Sequence, residues 1–146
     1  MFLYVTSFLI SLFTSAPAGN LNNTSTPQAA LRGYIVATNS HAFTNVATYL
    51  HPNTVFWFQA EEYVGVEQVK GYFESTWSKV PDEVYIVSDV KWITNTRSSA
   101  TCIFNYSYSG TFNGSKISGG GKGTNVFVKT KDGWKLIHEH LTPLKK

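Results

Sequence analysis

Hydrophobic and polar positions change rhythm partway along the chain. Up to about residue 80 the apolar side chains recur at helical spacing. Leu31, Tyr34, Ile35 and Thr38 form one stripe, with Thr26 placed to cap it and Pro27 at its first position, where a missing N–H costs nothing. Phe43, Val46, Ala47 and Leu50 stand at i, i+3, i+4 and i+7, and His51-Pro52 stops this second helix because proline disfavours the helical region in the residue before it. Asn53 to Gln59 reads as a strand, and Val66, Val69, Phe73 and Trp77 mark a third helix over Val66–Trp77. From Glu83 onward the pattern is β: Glu83–Thr94, Ser99–Thr111, Ser115–Thr130 and Gly133–Leu141, separated by polar or glycine-containing turns. Helices first and a meander afterwards predict an α+β fold, with about three N-terminal helices on one face of a curved antiparallel sheet. The run Gly119-Gly120-Gly121 inside a strand suggests a bulge or sharp bend.

The closing hairpin carries the densest chemistry. Asp132-Gly133 supplies the turn. Strict alternation beyond it would put Trp134, Leu136, His138 and His140 on one face and Lys135, Ile137, Glu139 and Leu141 on the other. A single strand bulge would exchange those faces.

Length and composition narrow the class. A chain of 146 residues makes one ordinary domain, and 10 Phe, 8 Tyr and 4 Trp against 14% charged residues suit a sheet that encloses a cavity. Residues 1–31 hold no Lys, Arg, Asp or Glu, and Phe2 to Phe13 is almost wholly apolar, with Ala16-Pro17-Ala18 following. That is the pattern of a secretory signal peptide over residues 1–18, with 19–25 as linker and 26–146 as the folded domain; an extra N-terminal helix is the alternative. The apolar run is shorter than the ~20 residues a spanning helix needs, so no membrane association is expected after cleavage. A secreted chain would make Asn22, Asn23, Asn105 and Asn113, each in an Asn-x-Ser/Thr pattern, candidate glycosylation acceptors.

The net charge of +3 divides into about +5 over residues 116–146 and −2 over residues 1–115. The C-terminal lysines are spread over strands and turns without a groove-reading element, so nucleic acid is not an expected partner, and lysines guarding a hairpin edge account for them. Cys102 is the only cysteine. It reads as a small buried hydrophobe, or in a secreted chain as a partner for another subunit. His138 and His140 lack the further Cys, Asp or Glu that a tetrahedral metal site would need, since His41 and His51 sit in the helical segment. No cofactor is implied.

The order Thr124-x-Val126-aromatic, Asp132-Gly133, then Trp134-x-x-x-His138-x-His140 with a hydroxyl residue at Thr142 resembles the closing hairpin of the SnoaL-like branch of the nuclear transport factor two-like superfamily. It is most similar to the association domains of calcium/calmodulin-dependent kinases. The resemblance extends upstream through Asn53–Phe58 and Gly65–Phe73. It implies a cone-shaped fold with a pocket between the concave face of the sheet and the first and third helices. On that basis Tyr34, His138 and His140 are the candidate catalytic residues, for isomerase- or cyclase-type proton transfer, and Trp57, Trp92, Tyr106 and Asn125 the candidate ligand-binding residues. Asn125 stands where association domains usually carry arginine, so no charged bidentate contact to an anion carries over. The resulting expectation is a secreted protein that binds a small, mainly apolar molecule, with or without turnover. The alternative is a non-catalytic module forming a homodimer or larger homo-oligomer.

Overall fold

The computed structural model describes residues 23–144. The proposed signal peptide and most of the linker lie outside the described residues.

Thr26 caps α1 (Pro27–Asn39) as its position predicts: its Oγ1 accepts from the Ala29 N–H at 3.1 Å, and Pro27 occupies the first turn. α2 is shorter than its apolar spacing suggests, Phe43–Ala47, because Leu50 already belongs to β1 (Leu50–Phe58). A short strand absent from the sequence reading, β2 (Glu61–Val64), folds back on β1. α3 (Gly65–Lys79) follows, then β3 (Val84–Asn95), β4 (Ser99–Phe112), β5 (Ser115–Thr130) and β6 (Gly133–Pro143).

The strands form one curved, open sheet in the order β2-β1-β6-β5-β4-β3. β3 to β6 are the expected antiparallel meander, and β1 joins the last strand by a parallel pairing. Asn113-Gly114, with φ of 47° and 77°, closes the β4–β5 hairpin in the left-handed conformation that a two-residue turn of this hand requires.

The core lies between the helices and one sheet face. Leu31, Tyr34, Ala37, Val46, Val69, Phe73 and Trp77 from the helices meet Phe56, Phe58, Tyr85, Phe104, Tyr106, Phe127 and Leu136 from the sheet. Asn39 fastens the end of α1 to β3: its amide donates to the Tyr85 carbonyl and accepts from the Tyr85 N–H, both at 2.8 Å. One side chain thus replaces a neighbouring strand at the sheet's edge and fixes where Tyr85 points.

The glycine run in β5 does not hold the bulge expected of it. Its register with β4 is unbroken from Phe112↔Ser115 to Ser99↔Val128. Instead, the inward aromatic residues of β4 each lie opposite a glycine: Phe104 across from Gly123, Tyr106 from Gly121 and Tyr108 from Gly119. A Cβ at Gly123 would overlap the Phe104 ring, and one at Gly119 the Tyr108 ring. The glycines therefore leave room for the rings to lie over β5, where they form one wall of the interior.

The bulge that matters is in β6. Between the pairs Phe127↔Leu136 and Val126↔His138, β5 advances by one residue and β6 by two, leaving Ile137 as the extra residue. Trp134 and Leu136 point into the core before it, and Glu139 is buried after it. Strict alternation through the strand is thereby corrected: past Ile137 the odd-numbered residues face inward and the histidines face out.

Candidate functional site

A cavity of about 530 Å³ opens between the helices and the concave face of the sheet. Its deep wall contains buried Tyr34 from α1, Phe73 and Trp77 from α3, Tyr85 from β3, Tyr106 from β4 and Glu139 from β6. Its rim is made of exposed positions, among them Gln59, Tyr108, Ser118 and Leu144. This is the size and composition of a small-molecule site, mostly apolar with a few polar groups.

Glu139 is the polar centre. It is 2% exposed, and the Tyr34 hydroxyl donates to its Oε1 at 2.9 Å. Its other oxygen, Oε2, is buried. Burial pushes the Glu139 carboxyl up to about 7, against smaller opposing help from Tyr34 and from Asn125, which lies directly across from it in the β5–β6 register. Tyr34 in turn is driven well above the ordinary phenol range, first by its own burial and then by the charge of Glu139. The same two causes raise Tyr85, whose hydroxyl is also buried and unpartnered. Glu83 adds a second acid to the cavity lining, raised by burial and partly offset by His41, with its Oε2 unpartnered. Glu139, Glu83, Tyr85 and Thr38 thus bring polar side chains to the cavity lining, each with a polar atom buried among its neighbours.

The residues expected at the site from sequence divide into three groups. Tyr34 and Tyr106 line the cavity. Asn125 and Trp92 do not line it: Asn125 is fully buried beside Glu139, and Trp92 packs on Phe127 with ring centroids 5.8 Å apart. His138, His140 and Trp57 lie on the opposite side of the sheet, carried there by the Ile137 bulge and by the parity of β1, where Phe56 and Phe58 take the inward positions. Their rings form a small cluster, with Trp57 edge-on to His138 at 5.0 Å and to His140 at 5.6 Å. The Val55 carbonyl can only accept, so His138 Nδ1, 2.7 Å away, carries the proton of that hydrogen bond. Trp57 Nε1 donates to Glu62 Oε2 at 2.8 Å. Among the described residues no group of three metal-ligating side chains assembles here.

Glu139 itself was assigned to the outer face by strict alternation. No local signal marks it, since Glu139 stands between His138 and His140 in the sequence.

The family known as the SnoaL-like domain matches residues 28–144. The chain belongs to this SnoaL-like family. A search of curated proteins found no match. Among solved structures, a nuclear transport factor 2-like superfamily protein from Salmonella enterica is similar at 17% identity and a TM-score of 0.73, over 80% of this chain and 87% of that one. A protein from Streptomyces avermitilis of the same broad family, provisionally named a dehydratase, aligns with a TM-score of 0.72 at 18% identity, over 82% and 94% of the two chains. A Xanthomonas campestris protein provisionally named a calcium/calmodulin-dependent protein kinase II association domain gives 0.71 at 21% identity, over 82% and 86%. At such identities these likenesses speak for the fold, and they include the association-domain type to which the closing hairpin is similar.

In this SnoaL-like domain the cone is lined with acids and phenols, and among the described residues no Lys, Arg or His belongs to the cavity wall. Cys102 takes no part there. It is fully buried, and burial pushes its thiol up to about 12, as befits a small apolar side chain.

Proposed function

We propose that this SnoaL-like domain binds a small, mainly apolar molecule in its cavity and that Glu139 and Tyr34 hold the molecule's polar end. One observation carries the reading: buried Glu139 and Tyr34, hydrogen-bonded to each other at 2.9 Å, both line the cavity. Glu139 is also the group best suited to exchange a proton near neutral pH, since its carboxyl titrates at about 7 beside a phenol that can steady a developing negative charge. Proton-transfer chemistry of the isomerase or dehydratase type would run through this pair, and the name given to the Streptomyces avermitilis relative is in keeping with it. Histidine-based transfer would instead need a site on the outer face.

The test is saturable binding of the neutral fluorophore N-phenyl-1-naphthylamine. Wild type is expected to bind one equivalent, and Leu141→Trp, which fills the cavity from its wall, is expected to lose binding while keeping its fold by circular dichroism. Absence of saturable binding, or binding indifferent to Leu141→Trp, sinks the proposal.

A second reading is favoured by the other face of the sheet. Trp57 is 45% exposed, Ile86 53% and Ile103 38%, all on the side away from the helices. We propose that a second copy of the chain covers this face, in line with the association-domain name of the Xanthomonas campestris relative. Light scattering should then find a dimer or larger assembly that Ile103→Asp dissociates; a wild-type monomer at every concentration rules it out. Secretion through cleavage after Ala18 belongs to the same proposal, and the N-terminal sequence of protein from its native host decides it.

A further inference from the structure

The outer face of the sheet carries a group of side chains that the cavity does not use. Across four strands the register sets Glu62 on β2, Trp57 on β1, His140 on β6 and Thr124 on β5 in one row, and Val55, His138 and Val126 in the next. His138 and His140 are second neighbours on β6, so both imidazoles leave the same face of the strand, where both are half-buried. The Ile137 bulge is what puts them on this side, away from Glu139.

Two details of the pair go beyond packing. His138 Nδ1 donates to the Val55 carbonyl at 2.7 Å, which fixes the orientation of the ring and makes Nε2 the lone-pair nitrogen of the neutral imidazole. A backbone carbonyl on the far ring nitrogen is the support that metal-bound histidines ordinarily have. His140 is held more loosely: its Nε2 meets the Thr142 hydroxyl at 3.3 Å, a long contact that the ring can give up at little cost. The second detail is spacing. The two ring centroids are 6.4 Å apart and the rings are inclined by 55°. With metal–nitrogen bonds of ~2.0–2.1 Å, two imidazoles on one ion have centroids roughly 5–6.5 Å apart, the range running from a tetrahedral to a linear angle at the metal. The pair already stands within that range.

We infer that His138 and His140 chelate one late first-row transition-metal dication, copper(II) most tightly, with water completing its coordination. Imidazole nitrogen suits copper, nickel and zinc, and among the divalent ions of this row affinity peaks at copper(II). Among the described residues no third ligand joins the pair, so the ion is an exchangeable one and not the closed, four-ligand kind that holds a fold together. Glu62, whose Oε2 accepts from Trp57 Nε1 at 2.8 Å, places a carboxylate in the same row and favours a cation there. Trp57 lies edge-on to both imidazoles, so its fluorescence reports an ion bound by them. The inference uses no residue of the cavity and needs only one copy of the chain.

The experiment is titration of the protein with copper(II) chloride near neutral pH in a non-coordinating buffer, followed by tryptophan fluorescence and by calorimetry. Wild type is expected to show saturable quenching that EDTA reverses, and magnesium chloride is expected to have no effect, because magnesium prefers oxygen ligands. His138→Gln and His140→Gln should each weaken binding at least about tenfold, since a two-point chelate becomes a single contact. His140→Gln keeps the bond between His138 and Val55, so it gives a clean measurement if the other variant is disturbed. His51→Gln, a histidine whose Nδ1 accepts from the Asn53 N–H, should leave the affinity unchanged. Trp57→Phe should lose most of the quenching and keep the calorimetric binding. Ile103→Asp is titrated alongside, so that a second copy covering this face does not conceal the pair. No saturable binding in either background, or binding that survives His138→Gln and His140→Gln or falls equally with His51→Gln, overturns the inference.

Discussion

Replacing Glu139 by glutamine removes the cavity's central charge while keeping its shape and its acceptor for Tyr34. In the folded protein burial lifts this carboxyl from its ordinary 4.5 to about 7. At 1.36 kcal/mol per pH unit, that change corresponds to about 3 kcal/mol of stability. The sign is fixed by which state holds the proton. Below pH 4.5 the carboxyl is protonated in both states and has no effect. Between 4.5 and 7 the unfolded chain releases the proton while the folded one retains it, so stability falls as pH rises, and above 7 the full cost is present. Glutamine bears no charge at any pH. The stability of Glu139→Gln relative to wild type should therefore climb by about 3 kcal/mol from pH 4.5 to pH 8.5. Glu83 is raised as well, and Asp82 and Asp89 are lowered by hydrogen bonds to Thr111 and Asn105, but these occur in both proteins and cancel in the difference. Urea denaturation at four pH values, analysed as a two-state transition, gives the quantity directly. A wild-type-to-variant gap that changes by less than about 1 kcal/mol across that range would refute the claim that Glu139 is held, desolvated, inside the cavity.

Asn39→Ala removes both hydrogen bonds to the Tyr85 backbone and should cost about 1–3 kcal/mol in urea, with loss of dye binding as Tyr85 shifts. An unchanged midpoint would mean that the α1–β3 tie contributes little. Gly123→Ala drives a methyl into the Phe104 ring and should destabilise by about 1–3 kcal/mol, whereas alanine at Gly71, which has open space around it, should be neutral or slightly stabilising. Equal effects at the two sites would contradict the ring-over-glycine packing. Cys102 should resist iodoacetamide at pH 8 in the folded protein and react once urea unfolds it. Ready labelling of the native chain would show that β4 is not packed as described.

The positions of the elements were legible in the sequence because local patterns set them. Thr26-Pro27 announces the start of α1, and the ends of β3 to β6 fall within a residue or two of their turn signals. α2 was overestimated because Leu50 fits both the helical stripe and the strand that pairs with Leu136, and only the sheet's register chooses between them. β2 carries too few apolar residues to stand out and exists because β1 offers it a partner. The glycine run illustrates the same limit: by itself it signals weakness in a strand, but opposite Phe104, Tyr106 and Tyr108 it provides space.

The sequence by itself determined the α+β order and the aromatic supply for a cavity, because helical and strand periodicities are local and survive without tertiary contacts. Only the tertiary structure decided which side of β6 faces inward. Trp134, Leu136, His138 and His140 share a parity, but the register of β6 with β5 inserts Ile137 between the second and third of them. One extra residue turns every later side chain to the other face, so the inward position passes from the histidine pair to Glu139. Such a bulge is set by how strands far apart in sequence align, and that alignment is not written in the alternation of any one strand.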